Sequence, residues 1–225
     1  MSNGAGGNTN TVAPPPTLVK VCFYTIGDNR KVKTKDKPVI VSHGTGSDWF
    51  YARAGTLASD PKYVFGATSV YTATQNIQNL DPPSVKIIKL YFMGHGNPLG
   101  FIFNESNSES LVDPASTNSK VSPHMCTDTG DLLVELAKWL APGFQIGFLG
   151  CRMGGTLVPQ LAAALSHKGV SGTICGYVNP CDLGLEYPEK GDYDAAGQEF
   201  TETVGGTTWH HNQIAQYERT ANVTP

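Results

Sequence analysis

Residues 87–96 read IIKLYFMGHG and residues 144–155 read FQIGFLGCRMGG, and these two stretches are the most informative in the chain. Each begins as an apolar run and ends in glycines around one reactive side chain, His95 in the first and Cys151 in the second. Runs that are apolar on both faces are typical of strands buried in a parallel sheet. The pattern predicts two buried strands, each with a chemically active residue just beyond its carboxyl end.

Similar apolar runs recur along the chain and predict further strands at residues 21–26, 38–43, 63–71 and 172–178. Most of them are followed by a segment with helical spacing. The clearest lies around DLLVELAKWL (131–140), with Thr127 or Asp128 as its cap and Pro142-Gly143 as its end. A second helix is predicted after Thr156. Strands alternating with helices predict a three-layer α-β-α sandwich with a mainly parallel sheet.

The organisation of the chain follows from shifts in composition. Residues 1–16 are rich in Gly, Asn, Thr and Pro, and we expect them to form a disordered N-terminal arm. Residues 17–225 then form one domain. Within it, the stretch 104–125 is a long Ser, Asn and Pro rich connection, and 182–205 is a second irregular stretch. Loops of such length in a compact domain are often functional.

Charge and hydropathy exclude several classes of function. The 225 residues carry 16 Lys and Arg against 19 Asp and Glu, so a nucleic-acid partner has little electrostatic support. Neither a membrane-spanning run nor a secretory signal is visible. The 5 cysteines are odd in number and scattered, which argues against a disulfide framework and against a zinc site. We therefore expect a cytoplasmic protein, or an effector delivered without a signal peptide.

The residues beyond the two strands suit nucleophilic catalysis. Carboxyl ends of neighbouring parallel strands meet at one edge of a sheet, where ligands and catalytic groups collect. A thiol attacks as thiolate, and a histidine lowers the cost of forming it and returns the proton to the leaving group. The amides of Gly96 and Cys151 are candidate oxyanion donors. This chemistry requires His95 and Cys151 but no metal or cofactor.

The sequence resembles the caspase-like cysteine peptidases, the group that includes caspases, metacaspases, legumain, gingipains and clostripain. The resemblance rests on LYFMGHG, on GFLGCRMGG and on PVIVSHGTGSDWFYARAG (38–55). It implies a cysteine endopeptidase that cleaves protein or peptide substrates with strong selectivity for the side chain before the cleaved bond. It also implies His95 as general base and acid, Cys151 as nucleophile, and Gly96 with the Cys151 amide as oxyanion hole.

The residue preference of such an enzyme stays open. Metacaspases carry an Asp two positions before the nucleophile, whereas this chain has Leu149 there. Arg53 would favour an acidic or amide side chain, and Asp48 or Asp182 would favour a basic one. Tyr177 and Glu186 are weaker candidates for the same pocket. Activation by cleavage, by dimerisation or by a bound activator such as a polyanion is equally open.

Two other readings compete with a peptidase. An α/β-hydrolase would use Asp182 or Asp194 with His210, but its nucleophile turn needs small residues where this chain has Leu149 and Met153. A catalytically silent caspase-like domain that binds a partner is the second alternative. A binding role does not require a nucleophile, a base and flanking glycines together, so the peptidase is the favoured prediction.

Overall fold

The computed structural model describes residues 14–26, 31–33, 38–40, 51, 54–55, 57–104, 108–150, 152–177 and 218–225. Most of the predicted arm lies outside these residues. The strands are β1 (Thr17–Tyr24), β2 (Lys31–Lys33), β3 (Pro38–Ile40), β4 (Val64–Gly66), β5 (Val85–Met93), β6 (Gly96–Asn97), β7 (Gly100–Asn104), β8 (Glu109–Val112), β9 (Leu140–Leu149), β10 (Gly172–Tyr177) and β11 (Glu218–Val223). The helices are α1 (Val70–Gln78), α2 (Pro123–Trp139) and α3 (Leu157–Ser166).

The central sheet has six strands in the order β11-β10-β9-β5-β1-β4. All neighbouring pairs are parallel except β10 with β11, which is antiparallel. The predicted mainly parallel α/β fold is therefore confirmed. The two strands singled out by the sequence, β5 and β9, are direct neighbours in the middle of this sheet.

Helices cover both faces of the sheet, because the strand residues alternate between two apolar clusters. One cluster joins residues such as Phe23, Phe92 and Phe148 to the apolar sides of α1, α2 and α3. The other joins Tyr91 and Leu149 to the helical residues Ala54 and Leu57. This gives the three layers that the alternation of strands and helices predicts.

Aromatic side chains lock the three central strands together near their carboxyl ends. Phe92 of β5 stacks on Phe148 of β9 with ring centroids 4.8 Å apart, and on Phe23 of β1 at 5.6 Å. All three rings are buried. Each such pair adds about 0.5–1.5 kcal/mol beyond burial of its area. The residues that follow these strands consequently start from well-ordered positions.

Local signals account for where the helices begin. Ser69 and Thr72 form a reciprocal capping box at the start of α1, with the Thr72 N–H donating to Ser69 Oγ at 3.1 Å. Pro123 occupies the first position of α2, where its missing N–H costs nothing. Thr156 precedes α3 as predicted, although its side chain makes no capping hydrogen bond. Among the described residues, no helix is long and apolar enough to cross a membrane.

Several sequence-based boundaries were wrong. The helix predicted to start after Thr127 or Asp128 begins at Pro123 and ends at Trp139, and Pro142-Gly143 lie inside β9. The long connection 104–125 contains β8, which pairs with β7. In both cases tertiary contacts order residues whose local composition favours irregular structure.

The predicted core strand 38–43 is described only in part, and that part does not lie in the central sheet. Its described part, Pro38–Ile40, pairs antiparallel with Lys31–Lys33 in a separate two-stranded sheet. On the side away from β9, β5 pairs with β1, whose apolar run VCFYT is equally suited to burial. An apolar run alone does not reveal which strand it will pair with, so its place in or outside the central sheet cannot be read from the run itself.

Candidate active site

The two residues predicted to carry the chemistry, His95 and Cys151, stand the same number of residues after the ends of two neighbouring strands. Met93, the last residue of β5, is the register partner of Leu149, the last residue of β9. The Gly94 N–H donates to the Leu149 carbonyl at 3.1 Å, which extends the pairing one residue further. His95 stands two residues after Met93, and Cys151 two residues after Leu149.

Cys151 itself lies outside the described residues, whereas Gly150 before it and Arg152 after it are described. A Cβ added to Gly150 would overlap the carbonyl oxygen of Gly94. The two strand ends therefore approach each other so closely that only glycine fits at position 150 without a backbone shift. This contact brings the chain segments that carry His95 and Cys151 side by side.

Thr25 anchors the backbone of His95 from the neighbouring strand. It follows β1 directly, is fully buried, and its Oγ1 accepts the His95 N–H at 3.0 Å. The same hydroxyl donates to the Ile102 carbonyl, and the Ile102 N–H donates to the His95 carbonyl at 3.0 Å. Hydrogen bonds thus hold both the N–H and the carbonyl of His95, and His95 is half-buried.

Gly94 makes room for this anchor. Its φ of +151° lies in a region that residues with side chains rarely adopt. A Cβ at Gly94 would also collide with Oγ1 of Thr25. The glycine before His95 is thus required twice, once by backbone conformation and once by the buried hydroxyl that takes the space of its missing side chain.

The predicted oxyanion donor Gly96 begins the short strand β6 and pairs with Phe101 of β7. The ladder bond beside this pair runs from the Ile102 N–H to the His95 carbonyl, so Gly96 and Phe101 form a non-hydrogen-bonded pair. In such a pair the N–H groups point away from the partner strand. The Gly96 N–H is therefore oriented away from β7 and suits donation to another acceptor.

Met153 fills the space between the two turns. Its side chain is completely buried, and added Cβ atoms on Gly96 and Gly150 would lie 2.6 Å from its Sδ and 2.8 Å from its Cε. The thioether thus packs beneath the turn after β5 and the turn after β9 at once. Unbranched and polarisable, methionine is suited to such irregular gaps.

The segment after Cys151 turns sharply before α3 begins. Arg152 has a left-handed backbone conformation, φ +61°, and an exposed side chain. Residues Met153–Gly155 form one 3-10 turn, and α3 starts only at Leu157. The stabilisation of charge by a helix N-terminus decays within about one turn. The contribution of α3 to a Cys151 thiolate is consequently smaller than a helix starting directly after Cys151 would provide.

On the face of the sheet opposite α1–α3, a row of side chains with polar groups lies nearer the middle of the strands. Cys22, Tyr91 and Gly147 are register partners in β1, β5 and β9, and Gly147 is paired in turn with Cys175. Burial is the main cause that raises the pKa of the Tyr91 hydroxyl, and the neighbouring thiols of Cys22 and Cys175 raise it further. Tyr91 therefore stays protonated and neutral at physiological pH.

The predicted pocket residues Asp48, Arg53 and Asp182 lie outside the described residues, as do His43, Glu186, Asp194 and His210. Tyr177 is described: it ends β10, is buried, and packs with Leu149 on the face that carries Tyr91. Within the described part of the chain, no cluster of His, Cys, Asp and Glu could hold a metal ion.

Thr25 and Met153 were missed as site residues by the sequence reasoning. A polar residue directly after a predicted apolar strand was the available signal for Thr25, but the prediction included it in the strand 21–26. Met153 entered only as a bulky residue unsuited to a hydrolase nucleophile turn. Its packing position depends on both strand ends, so local sequence carries no signal for it.

Comparison with known proteins adds a distant resemblance. The sequence matches no protein-family model and no curated protein sequence. Among solved structures, it resembles a secreted C11 cysteine protease from Bacteroides thetaiotaomicron, named iotapain, with a TM-score of 0.34 and 12% identity. The alignment covers 84% of this chain and 61% of the protease, so this chain spans less than two thirds of that protein's length.

Proposed function

We propose that this protein is a cysteine endopeptidase in which Cys151 is the nucleophile and His95 the general base and acid. The observation that carries the proposal is the register of Met93 with Leu149, which gives His95 and Cys151 equal offsets beyond neighbouring strands. Close packing of Gly150 against the Gly94 carbonyl supports it, because the backbones of the two chain segments adjoin at that point.

In the proposed reaction His95 accepts the Cys151 proton and the thiolate attacks the carbonyl carbon of a peptide bond. The amides of Gly96 and Cys151 donate to the oxyanion that forms. His95 then gives its proton to the leaving amine, and water hydrolyses the thioester to regenerate the thiol. The fixed backbone of His95 supports these transfers, since a base must stay within hydrogen-bond reach of the proton it moves.

The substrate class is an extended protein or peptide segment, selected by the residue before the cleaved bond. Arg53 would select an acidic or amide side chain, whereas Asp48 or Asp182 would select Arg or Lys through charge pairing. The two pockets predict cleavage after opposite classes of side chain, so one experiment distinguishes them.

That experiment is a library of fluorogenic peptides that varies the residue before the cleaved bond. It is run on the wild-type protein, on Cys151→Ala and His95→Ala, and on Cys126→Ala as a matched control. Cys126 lies in α2, on the helical layer, and is a partly exposed residue. We expect cleavage at one residue class by the wild type and the control, and a loss of at least about 10³-fold in the other two variants.

Undiminished cleavage by Cys151→Ala would reject the nucleophile assignment. Intact hydrolysis in His95→Ala would reject the base. If the wild type cleaves no peptide and Cys151 reacts slowly with iodoacetamide, the protein is better described as a silent binding domain. The library result and the thiol reactivity together therefore separate the peptidase from its main alternative.

A further inference from the structure

The buried Thr25 hydroxyl connects three strands at the candidate site. Thr25 directly follows β1, its Oγ1 accepts the N–H of His95, and the same hydroxyl donates to the carbonyl of Ile102 in β7. The Thr25 N–H in turn donates to the Met93 carbonyl at 3.0 Å. One residue of a neighbouring strand thus holds the backbone on both sides of Gly94.

We infer that Thr25 is a positioning residue for His95, and this inference rests on the proposed peptidase function. Through its hydroxyl it sets the backbone direction at His95, and hence the direction in which the imidazole leaves the chain. A general base displaced by about 1 Å can lose on the order of 10²-fold in rate. The role falls to a hydroxyl because one atom must accept from His95 and donate to Ile102.

The surroundings make this hydroxyl hard to replace. Thr25 is fully buried, so without the hydroxyl the His95 N–H would lose its partner in a site where little water is available to substitute. The position is also sterically specified, because only a glycine at 94 leaves room for Oγ1. Valine keeps the shape of threonine but neither accepts nor donates a hydrogen bond, whereas serine keeps the hydroxyl.

These properties define three variants. Thr25→Val removes the hydroxyl at nearly constant shape, and Thr25→Ser retains it. Thr129→Val is the matched control, because the Thr129 hydroxyl is also fully buried and also accepts a backbone N–H, that of Val112 at 3.2 Å. Thr129 lies in α2, and its hydroxyl holds the backbone of β8 and not that of His95. Thr25→Val therefore removes the buried bonds to His95 and Ile102, and Thr129→Val removes the one to Val112, but only the first change affects the His95 backbone.

Each variant is examined by steady-state kinetics against pH on the peptide that the wild type cleaves, and by NMR of histidine-labelled protein. For Thr25→Val we expect kcat to fall roughly 10- to 100-fold with KM changed less than about threefold. The pH profile of kcat/KM and the imidazole resonances of His95 should shift with it. Thr25→Ser should recover activity to within a few-fold of wild type, and Thr129→Val should keep the wild-type kcat and resonances.

A Thr25→Val protein with wild-type kcat, pH profile and His95 resonances would overturn the inference and leave Thr25 a structural residue only. So would equal kinetic losses in Thr25→Val and Thr129→Val. Failure of the peptidase proposal is recognised separately, by Cys151→Ala retaining activity or by no peptide being cleaved. In that event the His95 resonances of the same variants still decide whether Thr25 sets the position of the imidazole.

Discussion

Met93 and Leu149 are register partners at the carboxyl ends of adjacent parallel strands, and the Gly94 N–H continues their ladder onto the Leu149 carbonyl. After this pair, the segments that follow β5 and β9 leave the sheet at its carboxyl edge. This is the edge where parallel α/β folds bind their ligands. His95 and Cys151 follow at equal offsets. The relationship turns two separate sequence motifs into one candidate active site.

The reactivity of Cys151 should exceed that of the other cysteines. If His95 lies beside it, a larger thiolate fraction forms near neutral pH, and iodoacetamide should label Cys151 at least about tenfold faster than Cys22, Cys126 or Cys175. Replacing His95 by Ala should remove most of this advantage. Peptide mass spectrometry over a labelling time course measures each rate. Equal labelling of Cys151 and Cys126 would contradict the predicted pairing of thiol and imidazole.

Gly94→Ala should lower the free energy of unfolding by about 1–3 kcal/mol, because a Cβ there collides with Thr25 Oγ1 and its backbone φ is positive. Gly130→Ala is the natural control. Gly130 lies within α2 and has nothing within 4 Å of an added Cβ. Gly130→Ala should therefore raise the free energy of unfolding by up to about 1 kcal/mol. Urea denaturation of the two variants measures the contrast. A stable Gly94→Ala protein would mean that the turn relaxes without cost.

Shortening the Met153 side chain should lower both the stability of the protein and its peptide turnover. Met153→Ala empties a fully buried site and should cost about 2–5 kcal/mol, while opening space beneath Gly96 and Gly150. Met153→Leu conserves volume and should cost less than about 1.5 kcal/mol. Urea denaturation and peptide turnover, measured below the unfolding transition, report both effects. Turnover as high in Met153→Ala as in the leucine variant would show that the two turns hold their positions without the thioether.

Glu135 should contribute to stability in a pH-dependent way. Burial opposes its ionisation, but hydrogen bonds from Lys138, Trp139 and Gln78 prevail and hold the carboxyl pKa below its usual 4.5. A lowered folded-state pKa means that this contribution is fully present above about 4.5 and is lost as pH falls through the folded-state value.

Glu135→Gln should therefore be less stable than wild type by about 1–2 kcal/mol at pH 7, and the difference should vanish below the lowered pKa. Asp131→Asn, on an exposed position of the same helix, should change stability by less than about 0.5 kcal/mol at either pH. Urea denaturation at pH 7 and in acid tests both. A constant deficit of Glu135→Gln at all pH values would show that packing, not charge, causes it.

Much of the architecture is visible in the sequence because strands and helices leave local periodic signals. The apolar runs that became β5, β9 and β10 were each found within a few residues of their ends, and so was the helix after Thr156. The errors arose where partners are distant in the chain. Pro38–Ile40 reads like a core strand but pairs outside the central sheet, and β8 is ordered by β7 within a stretch of loop-like composition.

By itself, the sequence determined that the chain has buried strands alternating with helices, and that His95 and Cys151 each follow such a strand. Hydrophobic periodicity and glycine content are local properties, so they can be read one segment at a time. Only the tertiary structure decided that β5 and β9 are neighbours in register, that Thr25 holds the His95 backbone, and that Met153 packs beneath both turns. These depend on strand order and side-chain packing between residues far apart in the chain, which no local pattern specifies.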